Sequence, residues 1–335
     1  MLRAQLASSP GESGMAIQSE TVSQSEMTAA ADGRKIPGNT VIDRILQLNS
    51  NFKSWRLDRR DRRLLSNADA VVISFPKSGR TWVRVMLSRL CQTAFDLPED
   101  TLLWFAKDLA KPKAPGSPVP QILFSHDVNA MTPTHRISAD KSHFAGLPLA
   151  LLSRHPADVA VSRYYHLKHR SPDPARRWLA RGTLQDFVWT DYGGLPAIVT
   201  WLNHWAAAAR AHPEFAIFRY EDLRSQPQEH LLRLANHLGL PATPESVQEA
   251  VDFAAFESLK KKEAEGFFQQ SQMRPGRSRS AQSFKVRSGK VGGWRDNFSG
   301  DEVAEIEALI SDRLDPVFGY AAEGNGGRSA AARSA

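Results

Sequence analysis

The chain has 335 residues, 41% of them hydrophobic, which is enough for one large globular domain or two small ones. A formal charge of +7 and a pI near 9.6 point to an anionic partner, although a basic solvated surface accounts for the charge equally well. One cysteine, Cys91, excludes an intramolecular disulfide and a cysteine-built zinc site, and no apolar run approaches the ~20 residues of a membrane span.

Residues 1–36 are rich in Ser, Ala, Gly, Thr and Gln and lack the apolar core of a secretory signal, so they read as a disordered extension of a soluble, cytoplasmic protein. The basic run Lys53–Arg63 reads as a solvated helix face, with nucleic-acid contact as the lesser alternative. Val71–Phe75 is continuous, apolar and β-branched, as a strand buried on both faces should be. After a polar turn, Trp82, Val85, Met86 and Leu90 recur at helical spacing and put Cys91 on the apolar side as a buried thiol. Lys111–Pro120 is a Pro-rich loop within the domain. Ile122–Phe124 and Leu147–Leu152 read as strands, the second followed by a helix opened by Pro156. Leu195–His212 is a helix and Phe215–Phe218 a strand. Gln226–Leu240 is a helix ending in Gly239, and Glu245–Glu265 and Asp301–Leu314 complete the helical set. Residues 323–335 again read as disordered, leaving 37–322 as one domain. Alternating strands and helices predict an α/β fold, a three-layer sandwich whose central parallel sheet is flanked by helices.

Four of these strands run into a polar residue where they end: Lys77, His126, Arg154 and Tyr220. Ligands of open α/β sheets bind at the carboxyl edges of the strands, so these four are expected to line one crevice. At the first of them, Phe75-Pro-Lys-Ser-Gly-Arg-Thr-Trp joins strand to helix. Such a turn gathers free backbone N–H groups and the positive end of a helix dipole, which suits a phosphate-like anion. Gly79 lets the backbone approach closely, Lys77 brings an ammonium, and Ser78 and Thr81 bring hydroxyls. The first glycine of a Walker A loop is missing and the lysine precedes the glycine, which counts against an ordinary nucleotide triphosphatase.

The turn resembles the 5′-phosphosulfate loop of the cytosolic-type sulfotransferases, P-K-S-G-T-T-W, at six of seven positions, with Arg80 in place of the first threonine. A second family block is similar to Leu151–Ser162, and a third, R-K-G-x-x-G-D-W-K-x-x-F, is similar to Arg287–Phe298; the three stand in the family's order. The resemblance implies a P-loop-like fold and 3′-phosphoadenosine 5′-phosphosulfate as co-substrate, with no metal. It assigns Lys77, Ser78, Gly79, Arg80 and Thr81 to the 5′-phosphosulfate. Arg154, Ser162, Arg287, Ser288 and Gly289 go to the 3′-phosphate, and Trp82, Tyr220 and Phe256 to the adenine. It also implies that the basic segment Arg274–Arg295, which composition alone would leave disordered, closes over the donor.

Sulfuryl transfer needs an in-line acceptor and stabilisation of charge on the departing bisphosphate, and Lys77 is the candidate for the latter. A hydroxyl acceptor needs a base, and histidine is the usual one near neutral pH. The family's Lys-Thr-His stretch corresponds to Phe124-Ser125-His126, which selects His126 and replaces the lysine by Phe124; Arg80 is the expected compensation. His166 and His169 read as surface histidines of an acceptor-side loop, not a metal pair. Acceptor loops are expected at Asp96–Pro120 and His166–Gly194. Their Trp104, Phe105, Trp178, Phe187, Trp189 and Tyr192 favour a small apolar or aromatic alcohol, with an amine, glycan or lipid head group left open. Two alternatives stand beside the transferase: a non-catalytic nucleotide or polyanion binder on the same fold, and a phosphotransferase. Neither nucleic acid nor a membrane span is expected, and oligomeric state is left open.

Overall fold

The computed structural model describes residues 59–105, 107–128, 132–171, 173–268 and 290–320. The readings made for 1–36, 53–58, 323–335 and the residues Arg287, Ser288 and Gly289 lie outside the described residues.

Four strands, β1 Ala70–Ser74, β2 Ile122–Ser125, β3 Leu149–Ser153 and β4 Phe215–Arg219, form one sheet in the order β2-β1-β3-β4. All pairings are parallel, with Val72 opposite Phe124 on one side and Ala150 on the other, and Leu151 opposite Ile217. The central strands are buried along their whole length, which explains why Ala-Val-Val-Ile and Leu-Ala-Leu-Leu carry no polar alternation.

The connections from β1 and β3 run opposite ways, one outward to β2 and the other to β4. Right-handed crossovers then require the helix after β1 and the helices after β3 to cover opposite faces. The packing agrees. Helix α2 (Arg80–Phe95) lies against α8 (Pro227–His237) and α9 (Pro244–Phe253), whereas α3 (Pro156–His169) lies against α4 (Pro174–Trp178), α5 (Leu184–Val188) and α6 (Leu195–Ala209). The remaining helices are α1, residues 59–65, α7 (Tyr220–Ser225), α10 (Phe256–Glu265) and α11 (Gly300–Arg313). Because the chain leaves β1 and β3 in opposite directions, their carboxyl ends form the crevice such sheets use for ligands.

Trp201 and Trp205 of α6, together with Trp294, are fully buried; each such side chain contributes on the order of 1.5–3 kcal/mol. Trp201 also braces the chain beneath the crevice. Its ring meets Phe75 edge-on at 5.5 Å, and its Nε1 donates to the His126 carbonyl at 3.1 Å. Cys91 is buried, and burial pushes its thiol up to about 12.

Two helix boundaries differ from the sequence reading. Glu245–Glu265 is two helices, because Ala255 turns to ψ 148 and the Ala254 carbonyl accepts from Trp82 Nε1 at 2.9 Å. The helix from Leu195 ends at Ala209, short of Pro213. His166 and His169 also lie on α3, not on a loop.

Candidate active site

A cavity of about 1040 Å³ opens along the carboxyl edge of the sheet, and Lys77, His126, Arg154 and Tyr220 all line it. The crevice expected from the four strand ends is therefore present. Its volume lies at the top of the ~300–1,000 Å³ usual for one small molecule, so a nucleotide and a second molecule have room together.

The turn after β1 forms one wall. Lys77 and Gly79 both take the left-handed conformation, at φ 83 and φ 94, so the chain doubles back before α2 starts. Ser78 donates its N–H to the Phe75 carbonyl at 3.3 Å and is buried beneath the loop; among the predicted loop residues it alone does not line the cavity. No side chain caps the first turn of α2, which leaves helix-end N–H groups for an anion. Gly79 is required twice over. Beyond its positive φ, a Cβ there would sit 2.6 Å from Tyr220 Cδ2.

The half of the cavity over β3 and β4 is aromatic and basic. Tyr220 packs edge-on against Trp82 at 5.8 Å, and the Arg154 guanidinium lies 4.4 Å over its ring. Phe256, at the start of α10, lines the same half. Arg154 donates to the carbonyls of Lys77 at 3.5 Å and Lys290 at 3.2 Å and lies 3.6 Å from Asp158, while its buried Nε has no partner. Ser162, two turns along α3, faces the cavity too. Asp158 accepts from the N–H groups of Gly292 at 2.8 Å and Trp294 at 3.1 Å, fixing the chain at the far rim. An uncapped helix end, a glycine cradle and an unpartnered buried guanidinium nitrogen together fit a nucleotide with phosphates at both ends.

The half over β2 carries the candidate base. His126 donates from Nδ1 to the Ser74 carbonyl at 2.6 Å, since a carbonyl can only accept; the lone pair is then on Nε2. Burial, and next the charge of Arg80, hold the imidazole well below 6.5, so it is neutral at physiological pH. The chain around it is pinned. Asp127 sits at φ 51, pairs with the buried Lys141 at 2.6 Å, and donates its N–H to Ser125 Oγ at 2.9 Å. Ser125 Oγ in turn donates to Asp61. Arg80, the departure in the loop, reaches the same place: its Nη1 donates to the Phe124 carbonyl at 3.4 Å. Its pKa is pushed down to about 9 by burial and then by Arg84, with Asp61 acting the other way.

The sequence reading missed several residues here. Asp61 is 6% exposed, and Arg60, Asp61, Arg62 and Leu64 line the cavity, so the described end of the basic run keeps its arginines in solvent as expected while Asp61 turns inward to the site. Arg84 and Lys141 carried no local signal at all. Conversely, only Trp104 and Phe105 of the six expected aromatics line the cavity. Phe187 is turned into the core by α5.

An uncapped strand–turn–helix phosphate site at the switch point of a parallel sheet defines a nucleotide-binding α/β protein. The sequence model of the sulfotransferase domain family matches residues 148–317, half the chain, and the chain belongs to that family. The match includes Arg154, Ser162, Tyr220 and Phe256, while the Lys77 loop and His126 precede it. Relatives include flavonol 3-sulfotransferase of Flaveria bidentis, 23% identical across 73% of this chain and 81% of that one. Sulfotransferase 1A1 of Bos taurus is 26% identical across 73% and 83%. Among solved structures, retinol dehydratase in complex with androsterone and the inactive cofactor PAP shares the fold, with a TM-score of 0.52 at 18% identity over 73% of this chain and 80% of that one. Mouse sulfotransferase SULT7A1 complexed with PAP gives 0.50 at 15% over 75% and 88%. Among the described residues, no group of three His, Cys, Asp or Glu side chains could hold a metal ion, and no helix is long and apolar enough to cross a membrane.

Proposed function

We propose that the protein transfers the sulfuryl group of 3′-phosphoadenosine 5′-phosphosulfate to a hydroxyl of a small acceptor, with His126 as general base. When bound, the donor supplies an activated sulfuryl group and leaves as the 3′,5′-bisphosphate. The loop Lys77–Thr81 would hold its 5′ end, Arg154 and Ser162 its 3′-phosphate, and Trp82, Tyr220 and Phe256 its base. His126 takes the acceptor proton on Nε2 as the new oxygen–sulfur bond forms. Lys77 stabilises charge on the oxygen that leaves with the electron pair of the broken bond. The observation that carries the reading is the His126 tautomer: an Nδ1–H···O=C bond of 2.6 Å to Ser74 presents a neutral imidazole with a free lone pair.

Arg80 takes the part of the lysine that Phe124 replaces. Its guanidinium lies at the end of β2, beside the histidine whose pKa it depresses. Incubation with the donor and a phenol, followed by mass spectrometry for the sulfated phenol, tests the activity. Arg80→Thr is expected to be inactive; an undiminished rate would refute the assignment of Arg80. Bisphosphate binding without turnover on any acceptor would favour the non-catalytic binder.

A further inference from the structure

The acceptor half of the cavity holds a charge the proposed chemistry does not use. Arg84, one turn beyond Arg80 on α2, is 8% exposed and lines the cavity. Its guanidinium is sandwiched between Phe105 at 4.4 Å and Phe124 at 4.5 Å. Among the described residues it has no hydrogen-bond acceptor and no ion-pair partner, and its Nε is buried and unsatisfied. Its positive form is opposed chiefly by burial, which brings its pKa down to about 10, and the one carboxylate acting the other way is Asp108. That carboxylate is exposed and accepts from the Phe105 N–H at 2.8 Å. Asp61, the buried acid of α1, is engaged by Arg60 at 2.8 Å and by Ser125.

Burying a guanidinium without a counter-charge is costly, and ring faces offset only a small part of that cost. The arrangement becomes favourable when an anion fills the space beside it. The donor's phosphates are spoken for on the other side, by the loop after β1 and by Arg154 after β3. Arg84 instead flanks β2, the opposite edge of the sheet, against the ring of the residue two before His126.

We propose, resting on the sulfotransferase reading, that the natural acceptor is anionic: a small hydroxylated molecule whose carboxylate, or a similar oxyanion, docks on Arg84 while its hydroxyl meets His126. Trp104, Phe105 and Phe124, which line the cavity, give the carbon frame between the two ends an apolar surround. This narrows the aromatic-alcohol expectation to aromatic or aliphatic hydroxy acids.

Calorimetric titration of the protein saturated with 3′,5′-bisphosphate tests it, with 4-hydroxyphenylacetate against 4-hydroxyphenylacetamide as a neutral match and 4-hydroxyphenylphosphonate as a second oxyanion. The wild type is expected to bind the acid at least about tenfold more tightly than the amide, the worth of one charge-assisted hydrogen bond. Arg84→Met should bring that ratio close to one, and Arg84→Lys should keep part of it. Phosphonate preferred over carboxylate would assign the oxyanion to the phosphate class. Equal binding of acid and amide, a preference that survives Arg84→Met, or no binding of either oxyanion would overturn the proposal. If the bisphosphate binds and the amide is sulfated without any acid preference, the transferase reading stands and the anionic acceptor falls. An acid preference in a protein that does not bind the bisphosphate leaves Arg84 assigned and removes the transferase.

Discussion

The two halves of the cavity are built on opposite plans. Over β3 and β4, the wall is backbone geometry and aromatic rings, with Arg154 already braced by Asp158 and two carbonyls. Over β2, it is side chains drawn from α1, α2 and the loop before β2, with Arg84 held between rings and without a counter-charge among the described residues. A pre-formed half suits a ligand of fixed chemistry, whereas an uncompensated half selects its ligand by charge.

Breaking each half separately is the direct way to examine the contrast. The largest effects belong to the reacting groups. His126→Ala is expected to lower kcat by about 10²–10⁴-fold with bisphosphate affinity retained, measured by steady-state assay beside calorimetry. Lys77→Gly keeps the positive-φ loop while removing the ammonium, and its loss of about 10²–10³-fold should likewise fall on kcat.

Next comes Gly79→Ala. It combines a φ of 94 with a Cβ 2.6 Å from the Tyr220 ring. Strain of about 1–3 kcal/mol should weaken bisphosphate binding about five- to 150-fold and lower the melting temperature. The acceptor half should barely register it, so acceptor KM at saturating donor is the control.

A pH profile sharpens the other half. His126 is held well below 6.5 by burial first and Arg80 second, so the acid limb of kcat/KM for the wild type lies well below pH 6.5. Arg80→Met removes the repelling charge and raises the histidine pKa, read by NMR titration of the imidazole because the variant is expected to lack activity; an unmoved titration would show that Arg80 does not act on His126.

The smallest effect concerns stability. His155, stacked on Trp294 at 5.5 Å, is held at about 3 by burial and by nearby arginines. The unfolded chain therefore takes up a proton near pH 6.5 that the folded chain refuses. Stability is full above that pH and falls on acidification toward pH 3, by at most about 1.4 kcal/mol per pH unit from this group. Denaturant melts of His155→Phe should show a shallower decline.

The half of the cavity over β3 and β4 was legible in the sequence because its lining residues are local: Pro76 to Trp82 form one turn, Arg154 and Ser162 share one helix and its entry, and Tyr220 stands at a strand end. The parallel sheet was legible for the same reason, since Val71–Ile73 and Leu149–Leu152 are apolar without alternation. The acceptor half was not. Asp61 and Arg84 stand far apart in the chain and come to one cavity only when α1 and α2 pack over β2, whereas Trp104 and Phe105 there were expected. Asp61 in particular sits among basic residues whose pattern is that of a solvated helix, and only its bond to Ser125 shows it turned inward. Composition also misdirected Phe187, which α5 commits to the core.

The most direct test of the account is calorimetric titration with 3′-phosphoadenosine 5′-phosphate against ATP and 5′-AMP, on the wild type and Arg154→Ala. The account predicts selective binding of the bisphosphate, weakened about ten- to 150-fold when Arg154 is removed, as expected for charge-assisted hydrogen bonds. Equal binding of all three nucleotides, or affinity unchanged by Arg154→Ala, would contradict it.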